Sequence, residues 1–243
     1  MELVKKIAVV VPFKTDNELT ESLLKRALDS IDERFMVIQV SDNVLKVGVS
    51  GCRNQGIDYA RLEGCEYITF LDADDTYVPD AWDVITKAIE EAPDADVIQL
   101  NHMRNDSVGR AWLKYYNHRG TYNLTRLPEF WFVCWNKIVK ADVLRDIRFI
   151  KGLNRGEDEV FCLEVFAKTR TVYCSEGVHL IHHFDNPRSL SKTVTVCDVL
   201  AEQQALINLC FTYQNDRELL EAVRVRQVQL WNCPVYTRLF GGA

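Results

Sequence analysis

The 243 residues carry 29 Lys and Arg against 35 Asp and Glu, a formal charge of −6, with 47% hydrophobic and 26% charged residues. That balance excludes collagen-like order and wholesale disorder, and the length allows one large domain with a small addition. An acidic chain is also a poor match for a broad nucleic-acid-binding face, although the count does not exclude a nucleic acid as a local partner.

No apolar run approaches the ~20 residues needed to span a bilayer. The longest, Ile7–Phe13, is strand-sized and contains Pro12. Two early lysines without a long apolar segment after them argue against a secretory signal. The eight cysteines (52, 65, 134, 162, 174, 197, 210 and 233) include no Cys-x-x-Cys pair, so no zinc ribbon or thioredoxin-like site is expected. Cys134, Cys162 and Cys210 lie in apolar stretches and read as reduced core thiols of a cytoplasmic protein.

Residues 5–13 form a continuous β-branched run, the pattern of a buried parallel strand. Leu19, Leu23, Leu24, Ala27, Leu28 and Ile31 recur at helical spacing, which predicts an amphipathic helix over 18–32 capped by Asn17 or Thr20. A strand over 35–40 follows, then a break at Gly48 and Gly51 and a helix over 53–62. The third strand, 67–71, runs directly into Asp72-Ala73-Asp74-Asp75. Pro79 starts a helix to about Glu90, and 97–100 is a fourth strand. Strands alternating with helices are the signature of an α/β sheet with right-handed crossovers.

The second half is less regular. Residues 111–125 read as a hairpin or a loop, 130–139 as an apolar segment, 157–168 as a helix, and 171–174 and 178–183 as short strands. Helical periodicity returns from Val199. The organisation expected is a domain over 1–195 with a helical extension over 196–243. The apolar residues near the C-terminus and the arginines close to them (Arg224, Arg226 and Arg238) permit contact with a membrane surface.

The sharpest feature is the Asp72–Asp75 cluster at a strand end. Ligands of open α/β sheets bind outside the carboxyl ends of strands. Three carboxylates this close repel one another unless a cation compensates, and such oxygens suit Mg²⁺ or Mn²⁺. The plainer reading is a solvated acidic turn before the next helix. Glycine-rich phosphate loops, a Gly-x-Ser-x-Gly elbow and a His-Glu-x-x-His pair are all absent from the sequence. A phosphate bound here would therefore be held by a metal and not by a glycine loop.

With these blocks in view, the sequence resembles a family 2 glycosyltransferase with the GT-A fold over roughly residues 5–195. The resemblance rests on five blocks in order: Ile7–Phe13 with its following helix, Gly51-Cys52-Arg53-Asn54-Gln55-Gly56-Ile57, Phe70-Leu71-Asp72-Ala73-Asp74-Asp75, Trp135-Asn136-Lys137-Ile138 and Gly156-Glu157-Asp158-Glu159-Val160-Phe161. It implies a mostly parallel, Rossmann-like sheet flanked by helices. It further implies a nucleoside-diphosphate sugar donor, most often a UDP-sugar, a hydroxyl-bearing acceptor, and Mn²⁺ or Mg²⁺ as cofactor. One departure stands out. Many members follow the second strand with Asp-Asp-Gly-Ser-x-Asp, whereas this chain reads Val40-Ser41-Asp42-Asn43-Val44 and keeps only Asp42 where the uracil or ribose is contacted.

The resemblance implies Asp158 as the general base of an inverting transfer, and Asp74 with Asp72 as metal ligands, Asp72 also lying near the ribose. Each role has a plainer alternative. Asp75 would cap a helix. Glu157, Asp158 and Glu159 would simply favour a helix N-terminus. Arg53 and Asn54 would bind the nucleotide at a helix start, or Arg53 would pair with an aspartate. Trp135, Lys137 and Glu157 would shape the sugar pocket, or Trp135 would be core. His183 or His182 would complete the metal shell, and Arg188 would clamp phosphate oxygens. A nucleotidyltransferase and a non-catalytic module on the same scaffold are the competing functions. Pro12-Phe13-Lys14-Thr15-Asp16 lacks the glycine-rich basic loop of the first, and the retained acidic blocks argue against the second.

Overall fold

The computed structural model describes residues 6–105, 111–114, 120–123, 132–169, 171–183, 186 and 194–231. Strand β1 (Ile7–Phe13) is buried from Ile7 to Val11, as its continuous apolar run requires of a strand covered on both faces. It pairs in parallel with β2 (Met36–Ser41) on one side and β3 (Tyr67–Phe70) on the other.

Between β1 and β2, α1 (Glu18–Asp29) starts at a capping box in which Asn17 and Thr20 bond reciprocally. It stops earlier than predicted because Ser30 folds its hydroxyl back onto the Ala27 carbonyl at 2.6 Å. The short α2 (Asp42–Leu45) leads into α3 (Gly48–Leu62), which begins before the predicted 53. Gly48 takes a left-handed φ of 71°, but Gly51 lies inside the helix, where a Cβ would fall 2.5 Å from Val47 Cβ. At Gly56 an added Cβ would stand 2.2 Å from Val10 Cγ1, so the helix backbone rests directly on β1. Gly56→Ala is therefore expected to cost about 1–3 kcal/mol by overpacking, read from the urea midpoint. An unchanged midpoint would show that the layer yields freely.

After β3 come β4 (Thr76–Tyr77), α4 (Ala81–Glu91) and β5 (Val97–Asn105), which runs past the predicted residue 100. The stretch predicted as a hairpin or loop contains β6 (Ala111–Lys114) and β7 (Gly120–Asn123). They do not pair with each other: β6 runs antiparallel to β5, and β7 antiparallel to β9 (Thr171–His183). Strand β9 replaces the two short strands predicted there, and shifts of register against β5 absorb the irregularity. The remaining elements are β8 (Lys137–Lys140), a 3₁₀ turn at Val143–Arg145, α5 (Glu157–Thr169), α6 (Val196–Thr212) and α7 (Arg217–Trp231).

The sheet order is β2-β1-β3-β8-β5-β9-β4, and β8 lies antiparallel between β3 and β5. The sheet is thus mixed. Strands β1, β2, β3, β5 and β9 nonetheless run the same way, so their carboxyl ends share one edge.

Helices cover both faces. On one, α1 and α4 set Ala27, Trp82, Ile85 and Ile89 against Ile7, Val9 and Leu71. On the other, Phe161 and Phe166 of α5, Leu206 of α6, and Leu219 and Val223 of α7 share one core with Val10 and Phe70 of the sheet. Cys52, Cys65, Cys134, Cys162 and Cys174 are buried, unbridged thiols. Cys210 is only half-buried, because it sits at the edge of the buried face of α6, and Cys233 lies outside the described residues. Among the described residues no helix is long and apolar enough to cross a membrane.

Candidate active site

A cavity of about 600 Å³ opens at the edge where β1, β3 and β9 end. Phe13 at the end of β1 and Lys14 just after it enter its wall, with Asp72 and Asp74 from the turn after β3, and His182 and His183 from β9. Arg53 comes from α3, and Glu157 and Asp158 from the first turn of α5. A volume of this size suits a small-molecule site, which the handful of convergent polar groups would orient.

Arg53 is the centre of the arrangement. Its guanidinium is 2% exposed and bonds three carboxylates: Asp72 at 2.7 Å, Glu157 at 3.2 Å, and Asp158. A planar fork with five donors suits three acceptors that come from two separate parts of the chain, the turn after β3 and the start of α5. It packs 5.2 Å from the Phe149 ring, which is itself stacked on Phe161 at 3.8 Å. The aromatic backing lowers the local dielectric and strengthens each ion pair.

One cation against three acids leaves the site short of positive charge. Burial pushes the Glu157 carboxyl up to about 7, and the neighbouring Asp158 adds to this. Burial also raises Asp158; Arg53 opposes the rise and Asp72 supports it. The second oxygen of Asp158 accepts a bond of 3.3 Å from the Cys134 backbone N–H.

The other end of the Asp72–Asp75 turn is organised differently. Asp74 accepts from the Asn186 amide at 2.7 Å, and burial beside Asp72 raises its carboxyl above the usual range. Asp75 is fully buried and accepts from the His183 backbone at 2.9 Å. His182 Nδ1 lies 2.9 Å from both of its oxygens. Burial drives Asp75 up to about 7 although His182 opposes it. Asp75 therefore joins the turn to β9 and does not cap α4, whose N-cap, Asp80, makes no side-chain bond. His183 Nε2 lies 2.9 Å from the Thr76 hydroxyl. Among the described residues no group of three or more His, Cys, Asp or Glu side chains is arranged to hold a metal ion alone.

The cavity thus collects Arg53, Asp72, Asp74, Glu157, Asp158 and His183 from among the residues singled out from the sequence, with the alternative ligand His182 beside them. Four others lie elsewhere. Asp42 accepts from the Val47 and Gly48 N–H groups at 2.8 Å and shapes the α2–α3 turn. Asn54 bonds the Phe149 backbone in both directions, at 2.9 and 2.8 Å, and so holds the ring that backs Arg53. Trp135 is 5% exposed and sits between His102 and His182, stacked on the latter at 5.0 Å. Lys137 is fully enclosed and donates to the Val133 carbonyl at 2.8 Å and to Asn136 at 2.6 Å, while burial lowers its pKa. Arg188 lies outside the described residues.

Asn186, Asn154, Arg155 and Glu202 also line the cavity, and the sequence reading passes over them. Glu202 did carry a signal. It interrupts the buried stripe Val199, Glu202, Ala205, Leu206 and Leu209 of α6, and a carboxylate on an apolar helix face calls for a partner.

Carboxylates gather around a buried arginine at the strand ends of a mixed sheet with helices on both faces, an α/β architecture with a polar small-molecule cavity. The family model for glycosyl transferase family 2 matches residues 15–148, more than half of the chain, and the protein belongs to that family: it is a glycosyltransferase.

Among solved structures the chain is similar to S. aureus TarS 1-349 in complex with UDP-GlcNAc, at 16% identity and a TM-score of 0.64, covering 86% of this chain and 73% of that one. It is similar to the same fragment in complex with UDP, at 17% identity and a TM-score of 0.63, covering 82% and 64%. Against S. aureus TarS the identity is 17% and the TM-score 0.59, with 86% of this chain covered but only 44% of that one. At these identities the likeness is one of fold. No curated protein sequence matches the chain.

Proposed function

We propose that the protein transfers a sugar from a nucleoside-diphosphate donor, most often a UDP-sugar in this family, to a hydroxyl of an acceptor, with inversion at the anomeric carbon. The observation that carries this reading is the joining of Asp72 and Asp158 through one buried Arg53 inside the cavity. The complexes of TarS with UDP-GlcNAc and UDP support the donor class.

In this reading Asp158 takes the proton of the acceptor hydroxyl as its oxygen forms the new bond to the anomeric carbon. The bond from that carbon to the diphosphate oxygen breaks, and its electron pair leaves with the nucleoside diphosphate. General bases of this kind contribute roughly 10²–10⁴ in rate. The Asp158 oxygen that faces away from Arg53, held by Cys134 with a backbone bond of 3.3 Å, is the one assigned to the proton. Arg53 holds the carboxylate in place and keeps Asp72 at the donor end.

Asp72 and Asp74, both lining the cavity, offer the hard oxygen donors that suit Mn²⁺ or Mg²⁺. Among the described residues there is no full protein cage, so such an ion would share its coordination with phosphate oxygens, the usual way Mg²⁺ is held. When bound it would supply Lewis-acid stabilisation of the leaving diphosphate. His183, on the same wall, is a further candidate ligand.

The experiment is a panel of UDP-, GDP-, CMP- and dTDP-sugars, with Mn²⁺, Mg²⁺ or EDTA. Metal-dependent release of the nucleotide is expected, at least 100-fold slower in Asp74→Ala, a loss on the scale of a missing electrostatic stabiliser. Full activity in EDTA would remove the metal from the reading. Pyrophosphate release from a nucleoside triphosphate would replace the transfer by nucleotidyl chemistry. The division into a domain over 1–195 and a helical extension over 196–243 is kept as a proposal of chain organisation, with the qualification that α6 and α7 share the main core.

A further inference from the structure

Helix α6 lies beyond the residues that match the family model, yet it reaches the cavity. Glu202, in its second turn, is 1% exposed and stands in the cavity wall. Its Oε2 accepts from Arg155 Nε at 2.7 Å. The next residue along the loop, Gly156, has φ of 70°, and a Cβ there would lie 2.6 Å from Glu202 Cγ and 2.8 Å from Oε1. The glutamate side chain therefore lies flat against the backbone at 156, in space that only glycine leaves open.

One turn earlier, Asp198 closes the capping box with Thr195 and also takes a side-chain bond from Asn154. Two successive turns of α6 thus grip three consecutive residues, 154, 155 and 156. Glu157 and Asp158 come next, and the Gly156 carbonyl accepts the Val160 N–H at the start of α5.

We infer that Glu202 is a positioning residue: through Arg155 and its contact with Gly156 it sets the loop that places Asp158 against Arg53. This rests on Asp158 being the base. A displacement of about 1 Å at a reacting group can cost 10²-fold in rate, so a grip on the loop is enough to govern turnover without touching substrate. The helical tail is then part of the transfer site and not an appendage to it.

The test compares Glu202→Gln, Arg155→Met and the double variant Glu202→Leu/Arg155→Leu with the parent protein. Turnover is measured as nucleotide release from the active donor of the panel, and loop order as amide hydrogen exchange over 154–160. The single variants are expected to lower kcat tenfold or more, with donor KM unchanged and exchange over 154–160 accelerated. An apolar pair often restores the stability of a broken buried ion pair. The double variant is therefore expected to regain its melting temperature but not its kcat. Recovery of kcat in step with stability would reduce Glu202 to a structural role and overturn the proposal, as would unaltered exchange over 154–160 in Glu202→Gln. Asp158→Asn, run in parallel, separates the two readings. If it keeps full turnover the base assignment falls, and accelerated exchange in Glu202→Gln would still report the grip on the loop.

Discussion

Arg53→Met is expected to abolish transfer and to destabilise the fold by about 3 kcal/mol. Removing one partner of a buried ion pair typically costs 3–5 kcal/mol, because a charge is left without compensation. Here three carboxylates lose their cation together. Their own side chains are 27%, 15% and 15% exposed, so water recovers part of the loss and the lower end of the range applies. Asp72 and Asp158 would then repel across the cavity. Urea unfolding gives the stability term, and calorimetric titration of the donor gives the binding term. Arg53→Lys should recover some stability but little activity, since a single ammonium cannot reproduce a fork that serves three acceptors. A methionine variant with the parent's urea midpoint would mean that the acids are neutralised by their own protonation and that Arg53 is not the keystone.

Asp158→Asn is expected to lower transfer by roughly 10²–10⁴ while leaving donor affinity intact. The substitution keeps the shape and the acceptor oxygen facing Arg53 but removes the proton acceptor. The pH profile provides a second reading. Burial raises Asp158, and a base works only as the carboxylate, so turnover should climb as pH rises through that raised value. Glu157, pushed up to about 7, titrates alongside it, and the two carboxyls share the ascending limb as a pair. In Asp158→Asn the residual rate should follow Glu157 alone. A profile identical in shape to the parent's would assign the limb to another group, and unreduced transfer would dismiss Asp158 as the base.

How far the sequence can be read depends on whether a signal is local. The buried strand at 7–13 and the Asn17 cap are written in adjacent residues, and the structure follows both. The acidic block after β3 and the Gly-Glu-Asp block at α5 are equally local, and the fold brings them to one cavity. Strand order is not local. Nothing in residues 137–140 announces that they insert antiparallel between β3 and β5. Periodicity also cannot tell a pocket wall from a core. Trp135 and Lys137 look like site residues in the chain, but their positions in the fold turn them inward. Glu202 shows the reverse: one polar residue on a buried helix face, meaningful only once the opposite loop is known.

The insertion of β8 has a consequence for synthesis. The parallel trio β2-β1-β3 is complete once residue 70 has left the ribosome, but the free side of β3 is covered only when residues 137–140 emerge. At 5–20 residues per second that wait lasts roughly 4–14 s. For that interval an apolar strand, Tyr67-Ile68-Thr69-Phe70, presents unpaired backbone to any neighbouring strand. The nascent chain is therefore most exposed to wrong strand pairing at one identifiable stretch of its length. The acidic turn at Asp72–Asp75, which follows that strand immediately, gives it a charged guard against self-association before it has any substrate to meet.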